Sequence, residues 1–357
     1  YQKFKINENF WTKDNSLIEK FEYLDKLYEK SLKGFSNFLN KLHKTKHQTK
    51  FWRIILGPWL INYLFMSFDK WKKIEDTIRK FSINKAKKIV FNNNLLIPYD
   101  LKSFIDMTQN DLWNQMLNQD IIQEFLSADK IERVTFKDEA RLFEELSVNR
   151  LSGDGDSYLK KIIIKLLSFK KITDYRYFIY KPYIGALKEL SLSLKLNQLP
   201  VYEIERNRFK NNKDIDLKTR NLLKHIFEPE NNFEKYILKS FEKNIPKIFI
   251  ENFNDLKNFY NQGNLPKKPD KIFSSNALWY DSFFSYYTAL QNEEGTKLVY
   301  GQHGGCYGIA KYSWQEIHEK KISDKYLTWG WKDENNKNTV KDFHILIRQK
   351  KYEWNNH

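Results

Sequence analysis

Lys297-Leu298-Val299-Tyr300-Gly301-Gln302-His303-Gly304-Gly305-Cys306-Tyr307-Gly308 reads as a short apolar strand that runs into a glycine turn around one histidine. Four of the chain's 12 glycines fall in this stretch, so its backbone is under unusual constraint. Glycine serves where φ must be positive or where backbone comes close to another group. Upstream, Lys271-Ile272-Phe273-Ser274-Ser275 reads as a second strand, and Asp281 to Gln291 as the helix between the two. Phe253 to Gln262 reads as a preceding helix, Ile245 to Glu251 as a strand before it, and Tyr326 to Trp329 as a strand beyond the glycine turn. Strands alternating with helices of about ten residues imply βαβ units and a parallel sheet. In such sheets ligands bind beyond the carboxyl ends of the strands. Ser274 and Gly301-Gln302-His303 both fall at strand ends and are expected to face one crevice.

The rest of the chain reads as mostly helical. Leu17, Phe21, Leu24 and Leu27 recur at helical spacing within the helical stretch expected over 12–48, and a helix is expected over 58–70 with helical character continuing from Trp71 to Phe81. The 15-residue apolar run Ile54 to Phe68 is shorter than the ~20 residues of a bilayer span, and Pro58 suits the first turn of a buried helix. Ala86 to Phe91 reads as a strand and 99–127 as helix, with Asp100 and Asp111 near its caps. Ser152 to Asp156 reads as a loop, and the apolar run within 158–168 fits helix or strand equally. Tyr175 to Tyr180 reads as a strand, Ile184 to Leu196 as a helix, Glu203 to Lys218 as a polar excursion, and Phe233 to Phe241 as a helix.

Composition narrows the classes. Among 357 residues, 41% are hydrophobic and 16% aromatic, enough for a packed core. One cysteine excludes an internal disulfide and a cysteine zinc cluster. His318-Glu319 lacks the second histidine of a His-Glu-x-x-His helix, so no metal is expected. The net charge is +16. The lysines are dispersed, and no zinc finger, basic zipper or RNP1-like string accompanies them, so nucleic acid is not an expected partner. A basic surface does suit anionic membranes and nucleotide phosphates. The chain opens on Tyr-Gln-Lys with neither an initiator methionine nor a signal-peptide pattern, as a segment internal to a longer product would.

His303 is the leading candidate for chemistry, because an imidazole in an exposed turn suits a general base at neutral pH. The Gly304 and Gly305 amides offer an anion site, although the spacing matches neither the P-loop nor Gly-x-Gly-x-x-Gly. Glu316 and Glu319 share a helix face and offer carboxylates to orient His303 or bind a sugar. Arg53, read beside a tight Gly57-Pro58 turn, offers a bidentate anion contact. Glu251, Ser274, Gln302 and Tyr307 complete the candidate binding set.

Trp52 to Trp59, the Gly301 to Gly308 string and Tyr326-Leu327-Thr328-Trp329-Gly330-Trp331 together resemble a family of transferases from bacterial surface-polysaccharide loci. The resemblance covers roughly residues 15–331, and that family is distantly similar to GT-B glycosyltransferases. It implies a Rossmann-type parallel sheet with helices on both faces and a helical N-terminal elaboration. It also implies an acceptor-side domain over 1–325 and the start of a truncated donor domain over 326–357. The implied activity is transfer of a sugar, a nonulosonic or Kdo-like acid among the candidates, from a nucleotide-activated donor such as a CMP-linked one. The acceptor would be a glycan or lipid-linked glycan, with no further cofactor, in the cytoplasm or at the inner face of the membrane. A nucleotide-sugar epimerase or phosphotransferase on the same scaffold, and a non-catalytic module at the membrane surface, are the rival readings.

Overall fold

The computed structural model describes residues 11, 16–90, 92–135, 171–201, 204 and 214–342. The loop expected at Ser152 to Asp156, the run in 158–168, most of the 203–218 excursion and the polar tail beyond 342 lie outside them. The chain divides into two compact units. One comprises Tyr1–Thr49, Trp59–Gly155 and Asn211–Phe253, and the other Lys50–Pro58, Asp156–Lys210 and Asn254–His357.

Helices dominate the first unit. Helix α1 (Leu17–His43) buries the apolar stripe that its spacing announces, from Phe21 through Leu24, Leu27 and Leu32 to Leu39. Helix α2 (Thr49–Phe81), whose Lys50–Pro58 stretch is assigned to the second unit, starts ahead of the expected Pro58, which is its tenth residue rather than an opening one. An interior proline costs about 3 kcal/mol. Ile54, Ile55, Leu56, Trp59 and Leu60 around it are all fully buried, and each such side chain contributes about 1.5–3 kcal/mol. That burial outweighs the break. Phe35, Trp59 and Phe241 pack with ring centroids 4.8–5.8 Å apart at the heart of this unit. Phe241 comes from α7 (Asn232–Asn244).

The expected strand at Ala86 forms β1 (Ala86–Val90), and it pairs in parallel with β2 (Ile131–Thr135), which the sequence pattern did not reveal. The 99–127 segment resolves into α3 (Leu101–Thr108) and α4 (Asp111–Ile122). Asp100 caps α3 reciprocally with Ser103, while Asn110 rather than Asp111 caps α4.

Ile245 to Glu251 is not a strand. Lys247–Phe249 form a single 3-10 turn, and the Lys247 and Ile248 amides donate to the Pro98 and Tyr99 carbonyls. Periodicity cannot separate a short buried apolar run from a strand, and Pro246 removes a ladder donor. Glu251 then turns inward. Both its oxygens accept from Arg220, at 2.6 and 2.8 Å, and both side chains are almost wholly buried. Arg220, on the short helix α6 (Leu217–Asn221), also donates to the Glu242 and Ile245 carbonyls.

The second unit carries the parallel sheet. Its five strands, in consecutive order, are β3 (Tyr177–Ile179), β4 (Lys271–Ser274), β5 (Lys297–Gly301), β6 (Lys325–Trp329) and β7 (Thr339–Asp342). All neighbours are parallel, with Ser274 opposite Tyr300 and Gly301 opposite Leu327. The connections include α5 (Ala186–Lys195) and α8 (Phe253–Asn261) before β4, α9 (Ser282–Glu293) before β5, and α10 (Trp314–Ile322) before β6. This is a Rossmann-like arrangement of parallel strands with helices on both sides. The division expected at residue 325 falls inside this sheet, because β6 and β7 extend what β3 to β5 begin. β7 is short, polar and charged, and it gives no hydrophobic signal.

Breaking a buried ion pair from one side leaves the other charge uncompensated, at a cost of about 3–5 kcal/mol. Glu251→Ala is therefore expected to destabilise the protein by about that amount in urea unfolding. A loss below about 1 kcal/mol would mean that water reaches Arg220.

Candidate functional site

The carboxyl ends of β4, β5 and β6 bring three loops together, all within the second unit. The centre is the turn after β5. Gln302 holds it with one buried amide. Its Oε1 accepts from the Trp329 amide at 2.9 Å and from Trp331 Nε1 at 2.8 Å, while its Nε2 donates to the Gly304 carbonyl at 2.8 Å. Its own amide donates to the Leu327 carbonyl at 2.8 Å. The side chain expected to bind substrate is thus engaged in fastening the glycine turn to the end of β6.

The glycines divide their roles. A side chain at Gly301 would meet Ser275 Oγ at 2.7 Å, so close approach of β4 and β5 demands its absence. Gly308 has φ +75°, and a β-carbon there would lie 2.5 Å from the Trp331 indole. Its amide donates to Glu316 Oε2 at 2.7 Å. Glu316 also takes Lys320 at 2.9 Å, and Lys320 reaches Asp333 at 2.8 Å. Glu316 is therefore a buried brace beneath the turn. By contrast, a β-carbon at Gly305 would meet nothing within 4 Å, and among the described residues no protein acceptor takes the Gly304 or Gly305 amide. A β-carbon at Gly304 would instead touch the Tyr307 ring at 3.6 Å.

His303 follows directly. Its side chain is 22% exposed, half-open rather than sealed. The Tyr307 ring meets it edge-on, with centroids 5.4 Å apart. Burial pushes the imidazole pKa below its ordinary value, and the main chain of Ser275 partly opposes that. Nδ1 lies 3.5 Å from Oε1 of Glu319, and among the described residues this buried nitrogen has no closer hydrogen-bonding partner.

Glu319 is fully buried on α10. Three neutral donors converge on its carboxyl: Trp279 Nε1 at 2.6 Å and the Tyr307 hydroxyl at 3.4 Å to Oε1, and the Tyr326 hydroxyl at 2.9 Å to Oε2. Burial raises its pKa well above the usual carboxylate range, against the lowering effect of these donors and with a small further push from Glu316. Tyr326 and Tyr307 are themselves pushed upward, first by burial and then by the carboxyl.

Of the other expected residues, Ser274 is buried, and its Oγ accepts from the Ala277 amide at 3.3 Å, which fixes the 3-10 turn Ala277–Trp279. Arg53 is half-buried within α2, not beside a tight turn, because Gly57-Pro58 continues the helix. Glu251 belongs to the first unit and is held by Arg220. The residues that the sequence reading left out are Trp279 and Tyr326. Glu319 carried one usable signal. Three-residue spacing puts it on the stripe of Ile322, where a charged residue is out of place. Among the described residues, no group of three or more His, Cys, Asp or Glu side chains is placed to hold a metal. No helix among them is long and apolar enough to cross a membrane.

A family model described as LIC12162 family transferase matches residues 1–357. The chain belongs to that family. It matches no curated protein and no solved structure.

Gly308→Ala combines a positive φ with a clash against Trp331 and is expected to cost about 1–3 kcal/mol. Thermal unfolding followed by tryptophan fluorescence measures it. An unchanged midpoint would show that the turn is not held as described.

Proposed function

We propose that this transferase is a GT-B-like glycosyltransferase of surface-polysaccharide biosynthesis. It moves a sugar, with a CMP-linked nonulosonic or Kdo-like acid as the leading donor class, onto a glycan or lipid-linked glycan acceptor. The observation that carries this reading is the half-open imidazole of His303 at the carboxyl end of β5, backed by a buried carboxyl. His303 takes the proton of the acceptor hydroxyl. The acceptor oxygen bonds to the anomeric carbon as the bond from that carbon to the phosphate oxygen breaks, and the electron pair leaves with the nucleotide. The Gly304 and Gly305 amides face anionic oxygen of donor or leaving group, where oriented dipoles stabilise developing charge. Tyr307 shapes the wall beside the imidazole. A net charge of +16 suits work beside the anionic inner face of the cytoplasmic membrane.

The test is nucleotide release from a panel of CMP- and UDP-linked sugars with glycan acceptors. General-base catalysis contributes about 10²–10⁴-fold, so His303→Ala is expected to slow release by that factor. Release at the wild-type rate would remove His303 from the chemistry. A product of unchanged donor mass with no nucleotide freed would indicate an epimerase instead.

The pH profile follows from burial. A lowered imidazole pKa keeps the base form through neutrality, so rate is lost only as pH falls through a value below the ordinary ~6.5. An acid limb in kcat/KM centred at or above about pH 7 would contradict this assignment.

A further inference from the structure

We propose that the carboxyl edge of the five-stranded sheet docks on the surface of an anionic lipid bilayer, through the leucines of α5 and Ile309 of the glycine turn, with lysines around them. The inference deepens the reading of a lipid-linked acceptor and rests on it for its purpose, but its test needs no turnover.

The argument starts from a helix with its faces reversed. On a helix packed against a core, the apolar stripe is the buried one. In α5 the buried residues are Glu189 and Ser193, while Leu187 is 82% exposed and Leu194 59%. Seven-residue spacing puts these two leucines on one outward line, and Lys188 and Lys195 on the line beside it. Tyr183, just ahead of the helix, is 56% exposed.

The path of the chain sets this helix at the edge that carries His303. The backbone leaves the sheet at Tyr180 and returns at Val201, which bridges to Tyr180 in parallel. Residues 181–200 are therefore an excursion from the carboxyl end of β3. The Lys181 carbonyl accepts from the Ser275 amide at 3.3 Å and the Pro182 carbonyl from Ser275 Oγ at 2.8 Å, which ties the excursion to the loop after β4. Two strands along the same edge, Gly308–Lys311 stand exposed beyond β5. The Ile309 side chain there is 84% exposed, and it and Leu187 are the two most exposed large apolar side chains among the described residues. The Ile309 and Ala310 amides donate to the Cys306 carbonyl at 3.3 and 3.0 Å, so a closed turn presents this side chain.

Charge selects the occupant. Residues 181–200 hold Lys181, Lys188 and Lys195 against one acid, Glu189, which is buried. Residues 303–313 hold Lys311 and no acid. Two copies meeting through this face would oppose like charges, whereas anionic headgroups meet the lysines while the leucines enter the acyl boundary. Stable peripheral binding takes two such signals together. Docked in this way, the turn with His303 stands at headgroup level, where the sugar of a lipid-linked acceptor lies.

Flotation of the full chain with vesicles of equal parts phosphatidylglycerol and phosphatidylcholine tests this. The wild type is expected to float with these vesicles, to stay behind with pure phosphatidylcholine, and to be released by salt, which screens the lysines. Leu187→Ser combined with Leu194→Ser is expected to weaken binding about tenfold or more, from the apolar burial lost. Lys195→Gln and Lys311→Gln are each expected to weaken it about fivefold. Leu217→Ser combined with Leu222→Ser removes two comparably exposed leucines of the first unit and is expected to leave binding unchanged. Thermal unfolding of each variant confirms the fold. The proposal is overturned if the wild type does not float with anionic vesicles, if the Leu187 and Leu194 variant floats as the wild type does, or if the Leu217 and Leu222 variant loses as much. A leucine-dependent dimer in sedimentation, without vesicle binding, would assign the face to a second copy instead. Vesicle binding in the expected pattern with no sugar transferred would sink the glycosyltransferase reading and leave the docking in place; turnover of a soluble acceptor without vesicle binding would do the reverse.

Discussion

The carboxyl of Glu319 lies wholly out of water, and the protein itself must satisfy it. The groups that do so come from three places: the 3-10 turn after β4, the glycine turn after β5 and the start of β6. None of these can move far without leaving a buried acceptor bare, a loss of about 1–3 kcal/mol for a neutral group and more for a charged one. The carboxyl therefore acts as a common anchor for the loops at one end of the sheet.

Gln302 supplies a second constraint of the same kind. One side-chain amide joins the turn after β5 to the end of β6 through the Trp329 amide, the Trp331 indole and the Gly304 carbonyl. Glu316 braces the far side of the turn through the Gly308 amide. A glycine-rich segment that would otherwise retain much backbone freedom is thus held at both ends. Between these fastenings Gly304 lies against the Tyr307 ring, and only at Gly305 would a side chain meet nothing within 4 Å. Rigid flanks around a small exposed concavity are what a transfer site needs, since positioning rather than bulk affinity lowers the barrier.

The two carboxylates of similar buried character have opposite roles. Glu251 meets a guanidinium that matches it bidentately, and the pair is closed to further chemistry. Glu319 meets only neutral donors and one titratable ring. A buried acid beside a base that can share its proton is the arrangement expected of a functional site, whereas a buried acid on arginine is most often structural.

Local sequence determined the elements whose signals are local. The apolar runs of β4 and β5, the caps Asp100 and Asp281, the stripe of α1 and the glycine turn around His303 all depend on a few adjacent residues. Pro58, Ile245 to Glu251 and β7 went otherwise because tertiary burial or pairing outweighed local preference: a proline inside a buried helix, an apolar run docked as a turn, a polar strand recruited by a sheet edge. The groups that meet at Glu319 belong to the same class. Trp279, Tyr326 and Glu319 meet only once the parallel sheet has brought successive loops to one edge, and no spacing along the chain encodes which of many aromatic residues will turn a polar atom inward. The chain by itself specified a histidine in a constrained bend. The folded sheet alone decided which acid stands behind it, because desolvation and donor geometry exist only after packing.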